Sequence, residues 1–169
     1  MKQSIMIIAS ILMISNLCLG QQLGGPSSMD LSGPRAGLTL ITGETAERLE
    51  EELDVKTPII SQFGWHFEKR FFSIPEGPTG VVEFVPLIGG MENNVVLPSV
   101  SLVVGLRSVD GLEIGVGPNV SISGIAYVLG AGVTKTVGML NIPVNGSIVF
   151  SNEGARFSLL VGFNSATGL

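Results

Sequence analysis

The chain has a single histidine, His66, in the run Ser61-Gln-Phe-Gly-Trp-His-Phe-Glu-Lys-Arg70. In an extended strand residues i and i+2 share a face, which puts Gln62, His66, Glu68 and Arg70 side by side. An imidazole next to a carboxylate can move a proton. General acid–base or nucleophilic catalysis also needs a positioned nucleophile or a second transfer group. Serines are plentiful here, and nothing in the local sequence marks one of them. The other reading is a set of buried charges in which Glu68, Glu83 or Glu113 pairs with Arg70, Arg107 or Arg156, because an ion removed from water requires a partner. The sequence therefore predicts a non-catalytic polar cluster of Gln62, His66, Glu68, Arg70, Glu83, Arg107, Glu113 and Arg156, and no enzyme.

Metal and cofactor chemistry find no ligand set. There is one His, the lone Cys18 lies in the N-terminal leader, and no close carboxylate triplet occurs outside one acidic stretch. Gly115-x-Gly117 and Gly130-x-Gly132 lack the strand-to-helix context of a phosphate loop, and packing is their expected role.

The elements that must carry these residues are strands. Gly111-Leu-Glu-Ile-Gly-Val-Gly-Pro-Asn-Val-Ser-Ile-Ser123 puts Leu112, Ile114, Val116, Pro118, Val120 and Ile122 on one face. Leu140, Ile142, Val144, Gly146, Ile148 and Phe150 repeat the pattern, as do Phe157, Leu159, Val161 and Phe163. Eight strands are predicted at about 35–42, 58–72, 79–88, 95–107, 112–123, 125–134, 139–150 and 156–163. Asp110-Gly111 marks a hairpin turn, and the apolar phase switches from even to odd numbers near Ser123-Gly124, which requires a turn or bulge. Pro86, Pro98, Pro118 and Pro143 cannot donate to a ladder and are expected at strand ends or bulges. Between strands 1 and 2, Thr42 to Asp54 predicts one short acidic helix, with Thr42 as cap and Ala46, Leu49 and Leu53 as a thin apolar stripe. That helix is expected to be an exposed loop; packing across the barrel mouth is the alternative.

The first 20 residues read as a secretory signal peptide: Lys2 is the charged region, Ile5 to Ile14 the apolar one, and Cys18-Leu19-Gly20 the cleavage site. Acylation of Cys18 is disfavoured, because Leu17 is too large for the preceding position. Residues 21–34 form a Gly/Ser/Pro-rich lead-in, 35–164 the barrel, and 165–169 a C-terminal tail. Loss of Lys2 with the signal leaves 8 basic against 14 acidic residues, a balance that disfavours nucleic acid as a partner.

Which face meets which medium follows from charge. Over strands 4 to 8 the apolar phase has 27 positions without a charge, and the other phase has 28, of which only Arg107, Glu113 and Arg156 are charged. A water-facing phase normally carries about 25–35% charge. The sparsely charged Gly/Ser/Asn phase instead suits the inside of a narrow barrel, and the apolar phase suits acyl chains, where one Arg or Lys at mid-bilayer costs roughly 2–4 kcal/mol. Trp65, Val100, Leu102, Ile114, Leu129, Ile148, Phe157 and Phe163 are expected to face lipid. Trp65 and Phe71-Phe72 are candidates for an aromatic girdle.

The leader, the eight alternating strands and the segments Ser-Gln-Phe-Gly-Trp-His-Phe-Glu, Gly-Val-Gly-Pro-Asn-Val-Ser-Ile-Ser and Phe-Ser-Leu-Leu-Val-Gly-Phe-Asn resemble small eight-stranded outer-membrane β-barrel proteins of Gram-negative bacteria. The resemblance is one of pattern over 35–164. It implies an all-β, antiparallel up-and-down transmembrane barrel, located in the outer membrane, inserted by the outer-membrane assembly machinery and partnered by the bilayer. The same alternation allows two other readings: a soluble secreted lipocalin-like barrel binding an apolar ligand, and a narrow outer-membrane pore.

Overall fold

The computed structural model describes residues 31–165. The expected signal peptide, most of the lead-in and the residues after Ser165 lie outside that range. Eight antiparallel strands form a closed ring: β1 (Gly33–Ile41), β2 (Ile59–Ser73), β3 (Thr79–Gly89), β4 (Leu97–Arg107), β5 (Leu112–Ser121), β6 (Gly124–Val137), β7 (Leu140–Ser151) and β8 (Gly154–Gly162). Each pairs with the next, and β8 pairs back with β1 through Leu38↔Leu159 and its neighbours. A two-residue β9 (Asn164–Ser165) continues along β7. Closure leaves no free sheet edge.

Pairing followed from Arg35 through Gly64, Leu87, Ser99 and Ser121 to Gly124, and carried on at the registers of β7 and β8, returns to β1 about ten residues nearer its Ile41 end, the shear of a strongly tilted barrel. One end of the barrel holds the start of β1 and the turns 74–78, 108–111 and 138–139. The other holds the connection 42–58 and the turns 90–96, 122–123 and 152–153.

Helix α1 (Glu44–Leu53) lies in the connection 42–58. Glu44 and Glu47 in its first turn complement the helix dipole. Leu49 is buried with Ile41, Val55, Ile60 and Leu97, and Ala46 packs on this cluster. Leu53 of the predicted stripe stays exposed. Thr42 does not cap it: the N-cap is Gly43, with no side-chain bond. The Thr42 hydroxyl is drawn to β8, where it donates to the Ala155 carbonyl at 2.8 Å. Among the described residues no helix is long and apolar enough to cross a membrane.

The prolines sit further inside the strands than expected. Pro98 is the second residue of β4, but Pro86 and Pro118 are internal. Each coincides with a break in one ladder and a continuous ladder on the other side. The β2–β3 pairs stop between Gly64↔Leu87 and Phe67↔Phe84, and the β4–β5 pairs between Ser101↔Asn119 and Val104↔Val116. Pro143 keeps its partner Thr134 on β6, while the β7–β8 ladder begins one residue later at Val144. A missing N–H is tolerated where the ladder on that side is already open.

Candidate functional site: the barrel lumen

The two strand phases part cleanly. Val103 is 7% exposed and faces the axis; its neighbour Leu102 is 47% exposed and faces out. Trp65, Ile114, Leu129, Phe157 and Phe163 are exposed on the outer face, and Val100 and Ile148 lie in the same outward phase, half-buried. Trp65 is not at a strand end: it is the seventh of the 15 residues of β2. Phe71 and Phe72 do stand at the end of β2, in edge contact with each other at 5.1 Å, just where the register shifts between Arg70 and Phe72.

Most of the predicted polar residues face the lumen, where they divide into two groups. The lower group is a continuous chain. The Arg107 guanidinium donates to Glu113 through Nε at 2.7 Å and to Glu68 through Nη1 at 2.7 Å, and its Nη2 pairs with both carboxylates. His66 Nε2 lies 3.3 Å from Glu83 Oε2, and its Nδ1 lies 3.1 Å from Arg35 Nη2. Arg35 also donates to the Leu31 carbonyl at 2.8 Å, and the Glu68 N–H donates to Ser32 Oγ at 2.9 Å. The chain before β1 is therefore tied into this end of the barrel, with Leu31 buried. Glu83 and Glu113 are neighbours on the inward phase of β3 and β5, and both line one internal cavity of about 80 Å³ together with Arg35 and His66. Its remaining wall is mostly apolar or bare backbone, with Val85, Leu87, Val103, Val128, Leu160 and several glycines, and the polar side chains of Ser101, Asn145 and Ser147 complete it.

The upper group lies beneath α1. Arg156 Nη2 donates to Asn119 Oδ1 at 2.6 Å, and Asn119 Nδ2 donates to the hydroxyls of Ser99 and Ser101, each at 2.9 Å. Gln62 Oε1 accepts from the Thr39 hydroxyl at 2.6 Å, and Thr39 also bonds Ser158 at 2.7 Å.

The pairing differs in detail from the sequence expectation. Glu68 and Glu113 share one cation, Arg107. Glu83 pairs with His66 and not with an arginine. Among the described residues Arg156 pairs with no carboxylate and is held by a carboxamide, because β8 delivers it to the α1 end, away from the three glutamates. Arg70 faces inward and half-buried near the end of β2, outside both groups. Sequence reasoning missed Arg35, Thr39, Asn119 and the serines beside it. The phase rule could have found them: Arg35 and Thr39 alternate with Ala36, Leu38 and Leu40 and must face opposite to them.

The arrangement orders charge and fills space. No described serine or threonine hydroxyl is hydrogen-bonded to His66, and among the described residues no group of three His, Cys, Asp or Glu side chains could hold a metal ion. No family model matches the chain, and neither a curated protein nor a solved structure matches it.

Proposed function

We propose that the protein is a non-enzymatic β-barrel of the outer membrane, with a structural or interaction role, that spans the bilayer with its eight strands. One observation carries this reading: the outward phase of all eight strands is apolar apart from Ser61 and two lysines, while the arginines and glutamates of the strands turn inward. Outward Phe63, Phe67, Phe84, Leu102, Ile114, Leu129 and Leu159 are 45 to 58% exposed; a contiguous apolar surface of this extent, encircling the molecule, marks a membrane interface. Strands of 9 to 15 residues, tilted, match the ~25 Å apolar band of such barrels. The lipocalin-like reading needs Val100, Leu102, Ile114, Leu129 and Ile148 inside, around a ligand, and they belong to the outer wall.

The role of the bilayer as partner, export by the N-terminal leader and insertion by the assembly machinery follow from this reading. Cell fractionation tests it, together with gel migration before and after heating. An outer-membrane barrel stays with the membrane pellet, requires detergent and migrates differently once boiled. A protein that remains soluble and monodisperse without detergent overturns the proposal.

A further inference from the structure

The outward phase of the eight strands carries two charged residues, Lys69 on β2 and Lys135 on β6. Both are exposed, and neither makes an ion pair among the described residues. The sequence placed Lys135 beyond strand 6; the structure extends β6 to Val137 and brings it into the wall. Each lysine is set among apolar neighbours. Lys69 lies between Phe67 and Phe71 and opposite Val82; Lys135 lies between Val133 and Val137 and opposite Ile142.

Their heights agree. Lys69 pairs with Val82, Val82 with Val104, Val104 with Val116 and Val116 with Leu129, four steps that carry the path halfway round the ring. A circuit climbs about ten residues toward the α1 end, so half a circuit climbs about five. Lys135 is six residues past Leu129 toward the opposite end. The two lysines therefore stand on opposite sides of the barrel at the same level to within about one residue. Two like charges on one plane across an otherwise uncharged wall do not serve each other. They serve a planar partner, with aliphatic stems against the wall and ammonium groups reaching for the boundary.

We propose that Lys69 and Lys135 form a docking level for the anionic phosphate headgroups of one leaflet, and that this level sets the depth at which the barrel sits. The inference rests on the membrane reading above. The level lies toward the end with the short turns 74–78, 108–111 and 138–139, the end that faces the periplasm in barrels of this architecture. The leaflet is then the phospholipid one on that side. The exposed turn residues Ile74, Val109 and Met139 extend beyond the lysines into the interfacial layer.

The test uses vesicles of phosphatidylcholine alone or with phosphatidylglycerol, at low and high salt. Three proteins are compared with the wild type: Lys69→Gln/Lys135→Gln, Lys69→Arg/Lys135→Arg, and Lys56→Gln as a loop control. Trp65, the one tryptophan, reports depth through quenching by lipids brominated at defined positions. With about fivefold lost per lysine near an anionic surface, the double Gln variant partitions about 30-fold more weakly than wild type into phosphatidylglycerol vesicles at low salt. The difference collapses at high salt, the Arg variant and the Lys56 control behave as wild type, and Trp65 of the inserted Gln variant is quenched at a shifted depth. Equal partition and equal depth for the Gln variant, with Trp65 still quenched by deep bromines, overturn the docking level and leave the membrane reading intact. Trp65 that no brominated lipid quenches, in any of the four proteins, overturns the membrane reading itself.

Discussion

Arg156 of β8 donates to Asn119 of β5 across the upper lumen at 2.6 Å, and Asn119 in turn holds Ser99 and Ser101 of β4 through its amide nitrogen. One carboxamide joins three strands from two sides of the ring. Its oxygen is the partner of a partly buried cation, so replacing it leaves that cation without an acceptor. Asn119→Ala is expected to destabilise the barrel by about 2–4 kcal/mol. Asn119→Leu combined with Arg156→Leu removes donor and acceptor together and is expected to cost less than the sum of the two single changes. Urea unfolding in detergent, followed by Trp65 fluorescence and read as a double-mutant cycle, measures the coupling.

Closure at both ends of the lumen predicts an electrically silent barrel. Beneath α1, Leu49 seals with Ile41, Ile60 and Leu97; toward the other end, Arg107 with Glu68 and Glu113 spans β4, β2 and β5. Replacing residues 44–53 with a short turn removes the first closure only. Planar-bilayer recordings are expected to show no discrete steps for either protein. Steps in the shortened protein would mean that the ion-paired end does not block passage.

How much of this could be read in advance depended on period. Alternation from Arg35 to Phe163 placed eight strands within a few residues of their observed ends and assigned Leu102 outward and Val103 inward, because a period of two has only two solutions. Partners were less legible. Glu68, Glu83 and Glu113 were visible as lumen carboxylates, but which cation each meets depends on barrel tilt, and tilt is not encoded in any one strand. Tilt delivers Arg107 to two glutamates and strands Arg156 at the far end with Asn119. The packing of α1 was obscured for a different reason: its buried residues are Thr45 and Leu49, and one buried leucine among five glutamates gives little periodic signal. Thr42 reads as a helix cap until the β1–β8 closure supplies it with another acceptor.

Two lumen glycines of similar sequence setting are expected to respond oppositely to a methyl group. A Cβ on Gly117 would overlap the Leu102 carbonyl oxygen, at the point where the β4–β5 ladder opens beside Pro118. A Cβ on Gly130 meets nothing nearer than 3.8 Å, since this residue borders the internal cavity. Gly117→Ala forces backbone to move and is expected to cost about 2 kcal/mol or more. Gly130→Ala should stay within about 1 kcal/mol of wild type and could be stabilising, because alanine restricts the unfolded chain. Parallel urea titrations of the two variants decide it, and equal losses would refute the assigned cavity.

The last prediction concerns pH, at the α1 end and outside the strands. Glu92 lies in the single helical turn Met91–Asn93. It accepts from the Ser61 N–H at 2.7 Å and from the Ser61 hydroxyl, clamping the β3–β4 connection to β2. Its slight burial acts to raise its pKa, but the two bonds from Ser61 outweigh it and hold the carboxyl below its ordinary value of 4.5. A carboxylate with a depressed pKa in the folded state adds stability that is fully present above the ordinary value and is lost as pH falls through the folded one. Wild type and Glu92→Gln should therefore differ by a constant amount above about pH 5.5 and converge as pH falls below about 4.5. Ser61→Ala, which removes the hydroxyl and keeps the N–H, should show the same convergence with a smaller gap. Unfolding midpoints taken from pH 3 to 8 check this; a gap that persists undiminished at the acid end would show that Glu92 acts through packing and not through its charge.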